Sequence, residues 1–248
     1  DTYNTAVGAY AGLAVTTGIE NTLIGGLAGD ALTDADYNSA FGNGSLSADT
    51  LGSHSTALGH GTLGAQNFTT ATNTYNTAVG SQAGAAVTTG AGNTLLGGLA
   101  GDSLTDADYN VAVGKNALST DTLGSFNTAV GINALETQNF TTATNSYNTA
   151  IGAVAGGAVT TGTLNTLIGG LSGDALTDAD ENVAVGVNTL SSDTLGSKSV
   201  AVGYSALFTQ NFTTATDSYN TAIGFNAGLA VTTGIQNTFI GGLAGDAT

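Results

Sequence analysis

Clustered carboxylates are the residues in this sequence whose type and spacing could do chemistry. Three aspartates of one short segment recur at the same spacing in two later segments: Asp30, Asp34 and Asp36; Asp102, Asp106 and Asp108; Asp174, Asp178 and Asp180. Carboxylates and backbone carbonyls are the ligands that Ca²⁺ prefers, although this spacing matches neither an EF-hand loop nor the glycine-rich coil of calcium-binding β-rolls. Two hypotheses follow: these acidic loops bind Ca²⁺, or each Asp shapes a solvated turn by accepting backbone hydrogen bonds.

A second recurring motif, Asn-Phe-Thr, matches an N-glycosylation acceptor and begins at Asn67, Asn139 and Asn211. The motif is compatible with a glycan on each Asn. The alternative is structural: Phe68 folds back as an apolar plug, and Asn67 turns the chain.

Catalytic sets do not recur in the chain. His54 and His60 occur in one copy only, whereas chemistry carried by a repeat should return with the repeat, so both are interpreted as surface residues. No Ser-His-Asp or Cys-His set recurs, Cys is absent, and the paired carboxylates lack a pocket-forming context. The sequence therefore predicts no catalytic, cofactor-binding or metal-binding residue, and no enzyme.

All of these residues lie between copies of one short strand motif, which first appears as Asn4-Thr5-Ala6-Val7-Gly8. Its copies begin at Asn4, Asn21, Asn38, Ser55, Asn76, Asn93, Asn110, Asn127, Asn148, Asn165, Asn182, Ser199, Asn220 and Asn237. The steps of 17, 17, 17 and 21 residues repeat as a 72-residue block. A fixed period of this kind indicates a solenoid, in which each coil buries its apolar side against its neighbours.

The third and fourth positions of the motif are both apolar. The fourth is always a sizeable hydrophobic residue, Val113 among them, and we expect it to face the interior of the coil. Successive side chains on a strand point to opposite faces, so Leu23 and Ile24 of the second copy cannot share one core. Strands that are apolar on both faces are typical of sheets covered on both sides, so something other than the coil's own core must cover the second face.

The polar end positions of the motif have structural interpretations. The fifth residue is Gly in every copy, as at Gly8, which suits a corner that needs positive φ or close backbone approach. The first residue predicts a ladder of Asn side chains along the stack, broken at Ser55 and Ser199.

These patterns predict an all-β fold, a parallel β-roll or β-solenoid with about 17–21 residues per coil. We expect one repetitive unit over residues 1–248, with blocks 3–74, 75–146 and 147–218 and a partial block 219–248. Because both ends stand in phase with internal copies, we also expect the chain to be part of a longer one.

Composition excludes two classes of partner. The formal net charge is −16, from 18 acidic residues against Lys115 and Lys198. Nucleic-acid binding needs basic residues for the phosphates, and anionic lipid surfaces need them as well. No stretch approaches the ~20 apolar residues of a membrane span, so we expect neither nucleic-acid binding nor membrane insertion.

The motif resembles the head repeats of trimeric autotransporter adhesins, whose pattern is Ser-Val-Ala-Ile-Gly-x-x-Ala. Val183-Ala184-Val185-Gly186 and Ser199-Val200-Ala201-Val202-Gly203 match it most closely, and similar Asn-Thr-Ala-Ile-Gly repeats occur in phage tail fibres. The resemblance implies a left-handed β-roll, three chains side by side about a fibre axis, and a role in surface attachment. The coils here are longer than those of the adhesin heads.

The function that we expect is therefore structural: a shaft or head of an extracellular fibre or adhesin, on a cell surface or a virion. Its partners would be further copies in a homotrimer, rods joined end to end, and a surface receptor or glycan. The alternatives are an ice-binding solenoid, suggested by the recurring Val15-Thr16-Thr17 segment, and a Ca²⁺-dependent receptor-binding head.

Overall fold

The computed structural model describes residues 2–246 as short strands joined by turns, without a helix. Fourteen three-residue strands, one for each copy of the motif, form a single parallel sheet. They are β1 Thr5–Val7, β2 Thr22–Ile24, β3 Ser39–Phe41, β5 Thr56–Leu58, β7 Thr77–Val79, β8 Thr94–Leu96, β9 Val111–Val113, β11 Thr128–Val130, β13 Thr149–Ile151, β14 Thr166–Ile168, β15 Val183–Val185, β17 Val200–Val202, β19 Thr221–Ile223 and β20 Thr238–Ile240. The predicted all-β parallel solenoid is confirmed. Over the described residues, no helix is long and apolar enough to cross a membrane.

Six two-residue strands join the third coil of each block to the longer fourth coil. β4 (Gly52–Ser53) pairs with β6 (Thr72–Asn73), and the equivalent pairs are β10 (Gly124–Ser125) with β12 (Thr144–Asn145) and β16 (Gly196–Ser197) with β18 (Thr216–Asp217). These three small parallel sheets fix the loop that carries the four additional residues.

Every strand of the large sheet pairs in the register of the motif. Leu95 of β8 lies beside Ala112 of β9, and Leu96 lies beside Val113. Because each position stacks on the same position of the next coil, every position of the motif becomes a column along the rod.

The third position of the motif lines the core, and the fourth faces outward. Ala112 and Leu95 are fully buried, whereas Val113 and Leu96 are only half-buried, and Leu58 is 47% exposed. The expectation that Val113 and the other fourth-position residues face the interior is therefore wrong. Ala suffices on the inner side because the opposite wall of the coil, which includes the buried Ala100, also belongs to the core.

A single larger residue fits in the second coil of each block because glycines make room for it. Ideal Cβ atoms on Gly84 and Gly101 would lie 2.7 and 2.8 Å from the two Cδ atoms of Leu95. The same arrangement surrounds Leu167, between Gly156 and Gly173. In the three complete blocks, the third position of the motif is thus Leu in one coil and Ala in the other three.

The predicted Asn ladder is confirmed. The side-chain carbonyl of Asn110 accepts a hydrogen bond from the backbone N–H of Asn127 at 2.9 Å, and its Nδ2 donates to the Gly124 carbonyl at 2.9 Å. The first bond joins one coil to the next, and the second closes the coil of Asn110 itself. The ladder is interrupted after Ser55, as predicted, where the N–H of Asn76 donates instead to Thr74 Oγ1 at 3.4 Å.

The corner glycines are required by backbone contact between coils. Gly97 has a φ of 142°, and a Cβ on it would stand 2.4 Å from the carbonyl oxygen of Gly114. No L side chain fits there, which explains why the fifth position is Gly in each copy.

Candidate functional site

The acidic loops use their carboxylates to join adjacent coils. Asp106 Oδ1 accepts a hydrogen bond from Thr89 Oγ1 at 2.6 Å, and Asp108 Oδ1 accepts one from the backbone N–H of Ala91 at 2.8 Å. The corresponding bonds form at Asp34, Asp36, Asp178 and Asp180. Within residues 2–246, no group of three or more His, Cys, Asp or Glu side chains is arranged to hold a metal ion. These contacts run between adjacent coils rather than within one turn, and the choice between a Ca²⁺ site and a solvated turn stays a prediction.

The first aspartate of each acidic loop has a different environment. Asp30, Asp102 and Asp174 each have a buried Oδ1 without a hydrogen-bond partner. Burial raises the pKa of the Asp102 and Asp174 carboxyls, and a hydrogen bond from the residue's own backbone partly offsets this rise. The fold therefore disfavours the ionised form of these two side chains.

A buried polar network runs from the third coil of a block through its fourth coil to the first coil of the next block, and it was not predicted from the sequence. Asp121 is fully buried, and its Oδ1 accepts hydrogen bonds from the N–H groups of Gly124 and Phe140, each at 3.1 Å. Its Oδ2 accepts from Gln138 Nε2 at 2.6 Å, and Gln138 Oε1 accepts from Asn148 Nδ2 at 2.8 Å. The same chain of bonds recurs through Asp49, Gln66 and Asn76 and through Asp193, Gln210 and Asn220.

This network anchors the longest loop. It binds both the turn at Gly124 and the start of the Asn-Phe-Thr segment, and so it positions the four extra residues of the coil. The sequence does contain a signal for this network, because one Asp and one Gln recur at fixed positions of every complete block. They are Asp49, Asp121 and Asp193, and Gln66, Gln138 and Gln210.

The Asn-Phe-Thr segments place Phe inside and Asn outside. Phe68 is 6% exposed, which confirms its predicted role as an apolar plug, and Asn67 is exposed. Asn67 Oδ1 accepts a hydrogen bond from Thr50 Oγ1 at 3.2 Å, and the same bond forms at Asn139 and Asn211. Glycosylation of these asparagines stays a prediction.

The outward face of the large sheet carries two columns of uncharged side chains. The fourth-position column is aliphatic except for Phe41, and the second-position column is Thr except at Ser39, Val111, Val183 and Val200. Most of these side chains are half-buried or exposed, with Val7 at 58% and Ile223 at 40%. Neither column contains a charged residue over its whole length.

Two further columns flank this face. We call the residues that precede the motif the N-edge column: Tyr3, Glu20, Tyr37, His54, Tyr75, Gly92, Tyr109, Phe126, Tyr147, Leu164, Glu181, Lys198, Tyr219 and Gln236. We call the residues that follow the corner Gly the C-edge column: Ala9, Gly26, Asn43, His60, Ser81, Gly98, Lys115, Ile132, Ala153, Gly170, Val187, Tyr204, Phe225 and Gly242.

Aromatic rings stack along both edge columns. In the N-edge column His54 lies between Tyr37 and Tyr75, with ring centroids 4.8 and 5.3 Å apart, and Phe126 lies likewise between two tyrosines. In the C-edge column Tyr204 stacks on Phe225 at 5.4 Å. His54 is thus a surface residue with an aromatic environment rather than an isolated one.

Both lysines belong to these edge columns. Lys198 Nζ lies 2.6 Å from Asp217 Oδ2 and 5.5 Å from the ring centroid of Tyr219. The hydrogen bond to Asp217 is the main reason that the pKa of Lys198 is raised and that of Asp217 is lowered. Lys115, in the C-edge column, is exposed.

Comparison with protein families, with curated proteins and with solved structures found no match to this chain.

Proposed function

We propose that this chain is a non-catalytic structural shaft of an extracellular fibre or adhesin, in which three copies of a left-handed β-roll lie side by side about the fibre axis. The observation that carries the proposal is the column of half-exposed hydrophobic residues at the fourth motif position. In a sheet with one face in water, the residues on that face are typically polar, so polar and apolar residues alternate along each strand. Here Val, Ile, Leu or Phe occupies that position in every strand.

The outward face approaches the area of one side of a stable interface. Fourteen strands spaced ~4.8 Å apart and three residues wide cover an area of roughly 670 Å². A stable protein–protein interface buries about 800 Å² per partner, and the two edge columns extend the face further. Contiguous exposed apolar patches of this size mark interaction sites.

Further copies of the same chain are the partners that fit this face best. Identical solenoids have the same rise per coil, so their columns stay matched along the whole rod, whereas an unrelated partner would fall out of step. The absence of charge on the face also matters, because each copy carries a formal net charge of −16. Like-charged chains repel least where no charge lies on the contact surface.

Light scattering on the 248-residue chain over a range of concentrations tests the assembly. The expected mass is three times 24.1 kDa. Val130→Asp introduces a carboxylate on the outward face of every copy, where it would be buried without a partner, and should shift the equilibrium towards monomer. Thr141→Asp, in an exposed loop, is the matched control and should leave the mass unchanged. A wild-type chain that stays monomeric at every concentration would refute the trimer.

The adhesin role requires a separate test. The pair that follows the corner Gly varies between blocks, as in Ser81-Gln82 and Ala153-Val154, and its second residue, which lies outside the C-edge column, offers a surface for a receptor or glycan. Binding of the trimer to a glycan array, lost on substitution of this pair, would support a binding head. The absence of any signal would leave the structural role alone. Rods joined end to end would appear as filaments in electron micrographs.

Ice binding is the second candidate, and the outward face is the observation that favours it. Thr and aliphatic side chains stand next to each other there, in a regular array with a spacing of ~4.8 Å. This array was not foreseen from Val15-Thr16-Thr17, which occurs only once per block. Thermal hysteresis at micromolar protein would favour ice binding. A trimer would exclude ice binding, because neighbouring copies would cover the same face.

A further inference from the structure

We infer that neighbouring copies meet edge to edge, with the N-edge column of one copy against the C-edge column of the next at the same coil level. This inference rests on the proposed trimer and adds the residues that set its register. It concerns four levels in particular, at which an aromatic ring of one column would face a lysine or a large hydrophobic residue of the other.

The two columns cannot meet within one copy. They lie at opposite ends of each strand, six residues apart, which corresponds to about 20 Å of extended chain. The stacked rings are accordingly found within one column or the other, such as Tyr109 with Phe126 and Tyr204 with Phe225. These exposed side chains therefore lack a cross-column partner inside a single copy.

Rotational symmetry brings the columns together. In a ring of parallel rods, contacts are head to tail, so one edge of each sheet faces the opposite edge of its neighbour. A rotation axis parallel to the rods involves no translation, and so it sets each coil beside the same coil of the next copy. The N-edge residue of one level then faces the C-edge residue of that same level.

The residues at these levels are complementary. The pairs are Tyr109 with Lys115, Phe126 with Ile132, Lys198 with Tyr204, and Tyr219 with Phe225. The chain contains two lysines and no other cation, and both would face a tyrosine. An ammonium group over a tyrosine ring is an attractive contact. Lys198 already makes such a contact with Tyr219, which shows that this column can hold a cation against a ring.

Other registers keep only half of this complementarity. A shift by one coil in one direction sets Lys115 against Gly92 while Lys198 faces Phe225, and a shift in the other direction sets Lys198 against Val187 while Lys115 faces Phe126. The poorer levels of the unshifted register are Glu181 against Val187 and Glu20 against Gly26, where a charge faces no complementary group. The two lysines together thus act as markers that favour the unshifted register over both neighbours.

Disulfide trapping tests this arrangement, since the chain has no cysteine of its own. A disulfide needs two Cα atoms within about 7 Å. The double variant Phe126→Cys with Ile132→Cys should close covalently under oxidising conditions and run as a trimer on a non-reducing denaturing gel. The shifted pair, Phe126→Cys with Ala153→Cys, is the matched control and should give little product. A variant with one cysteine can form dimers but cannot close a ring.

The outcomes separate this inference from the proposed function. More product from the shifted pair than from the same-level pair would refute the register. No covalent trimer from either pair, in a protein that light scattering shows to be trimeric, would refute the edge contact. A monomeric wild type would refute the proposed trimer itself.

Discussion

Two adjacent leucines on one strand, Leu95 and Leu96 of β8, provide a direct test of which face lines the core. They share residue type, strand and neighbours along the chain, but Leu95 is fully buried and Leu96 is half-buried on the outward face. We expect Leu95→Ala to lower the free energy of unfolding far more than Leu96→Ala does.

The expected size of each effect comes from the surroundings of the side chain. Buried Leu→Ala substitutions cost about 2.7–5 kcal/mol, and the cost rises with the cavity that stays open. The site of Leu95 can shrink little, because Gly84 and Gly101, which border it, have no side chains to move into the space. We therefore expect about 4–5 kcal/mol for Leu95→Ala. Leu96 loses about half of a Leu burial, or roughly 1 kcal/mol, in an isolated copy.

The assay is equilibrium unfolding of dilute protein, where copies are dissociated, combined with hydrogen exchange. Because a solenoid is stabilised between nearest neighbours, the loss at Leu95 should appear first as faster exchange of amides in the coils of β7 and β9. Leu96→Ala should instead become more harmful as concentration rises and copies associate. Equal losses for both variants in dilute solution would refute the assignment of the two faces.

Three further predictions concern the Asn ladder, the left-handed backbone position two residues after the corner Gly, and the acidic loop. Asn110→Ala removes the partners of two buried backbone groups and should cost about 2–4 kcal/mol in denaturant unfolding, while Asn43→Ala, on the surface, should change little; similar losses would contradict the ladder. Val154 has a φ of 59°, which is strained for a β-branched residue. Val154→Asn should therefore raise the free energy of unfolding by about 1 kcal/mol, and the melting temperature with it. Asn133→Val, at the equivalent position of another coil, should lower both. Because the pKa of Asp102 is raised in the folded state, the contribution of this group to stability is fully present below its unfolded pKa of about 3.9 and is lost as the pH rises through its folded pKa. The stability of Asp102→Asn relative to wild type should therefore increase over that pH range and level off above it. A stability difference that is independent of pH would contradict the desolvation of Asp102.

The candidate site shows where sequence reasoning succeeded and where it stopped. The Asn ladder and the corner Gly were predictable because each depends on contacts between identical positions of successive coils, and the Phe68 plug was predictable because Phe recurs at one position of the longest loop. The network of Asp121, Gln138 and Asn148 was not, because it joins residues 10 to 27 apart, across a block boundary, through a fold in the longest loop. Two-residue pairing of β10 with β12 sets that fold, and such short strands have no pattern of their own.

The sequence by itself determined the solenoid, its coil boundaries and its register, because a period that never slips leaves one way to stack the motif. It also determined that both faces of the strand are apolar. Only the tertiary structure decided which face is the inner one. Alternation along a strand separates Leu95 from Leu96 but does not say which of the two points inward. The width of the coil and the space left by Gly84 and Gly101 made that choice, and it left the fourth-position hydrophobic residues on the outward face.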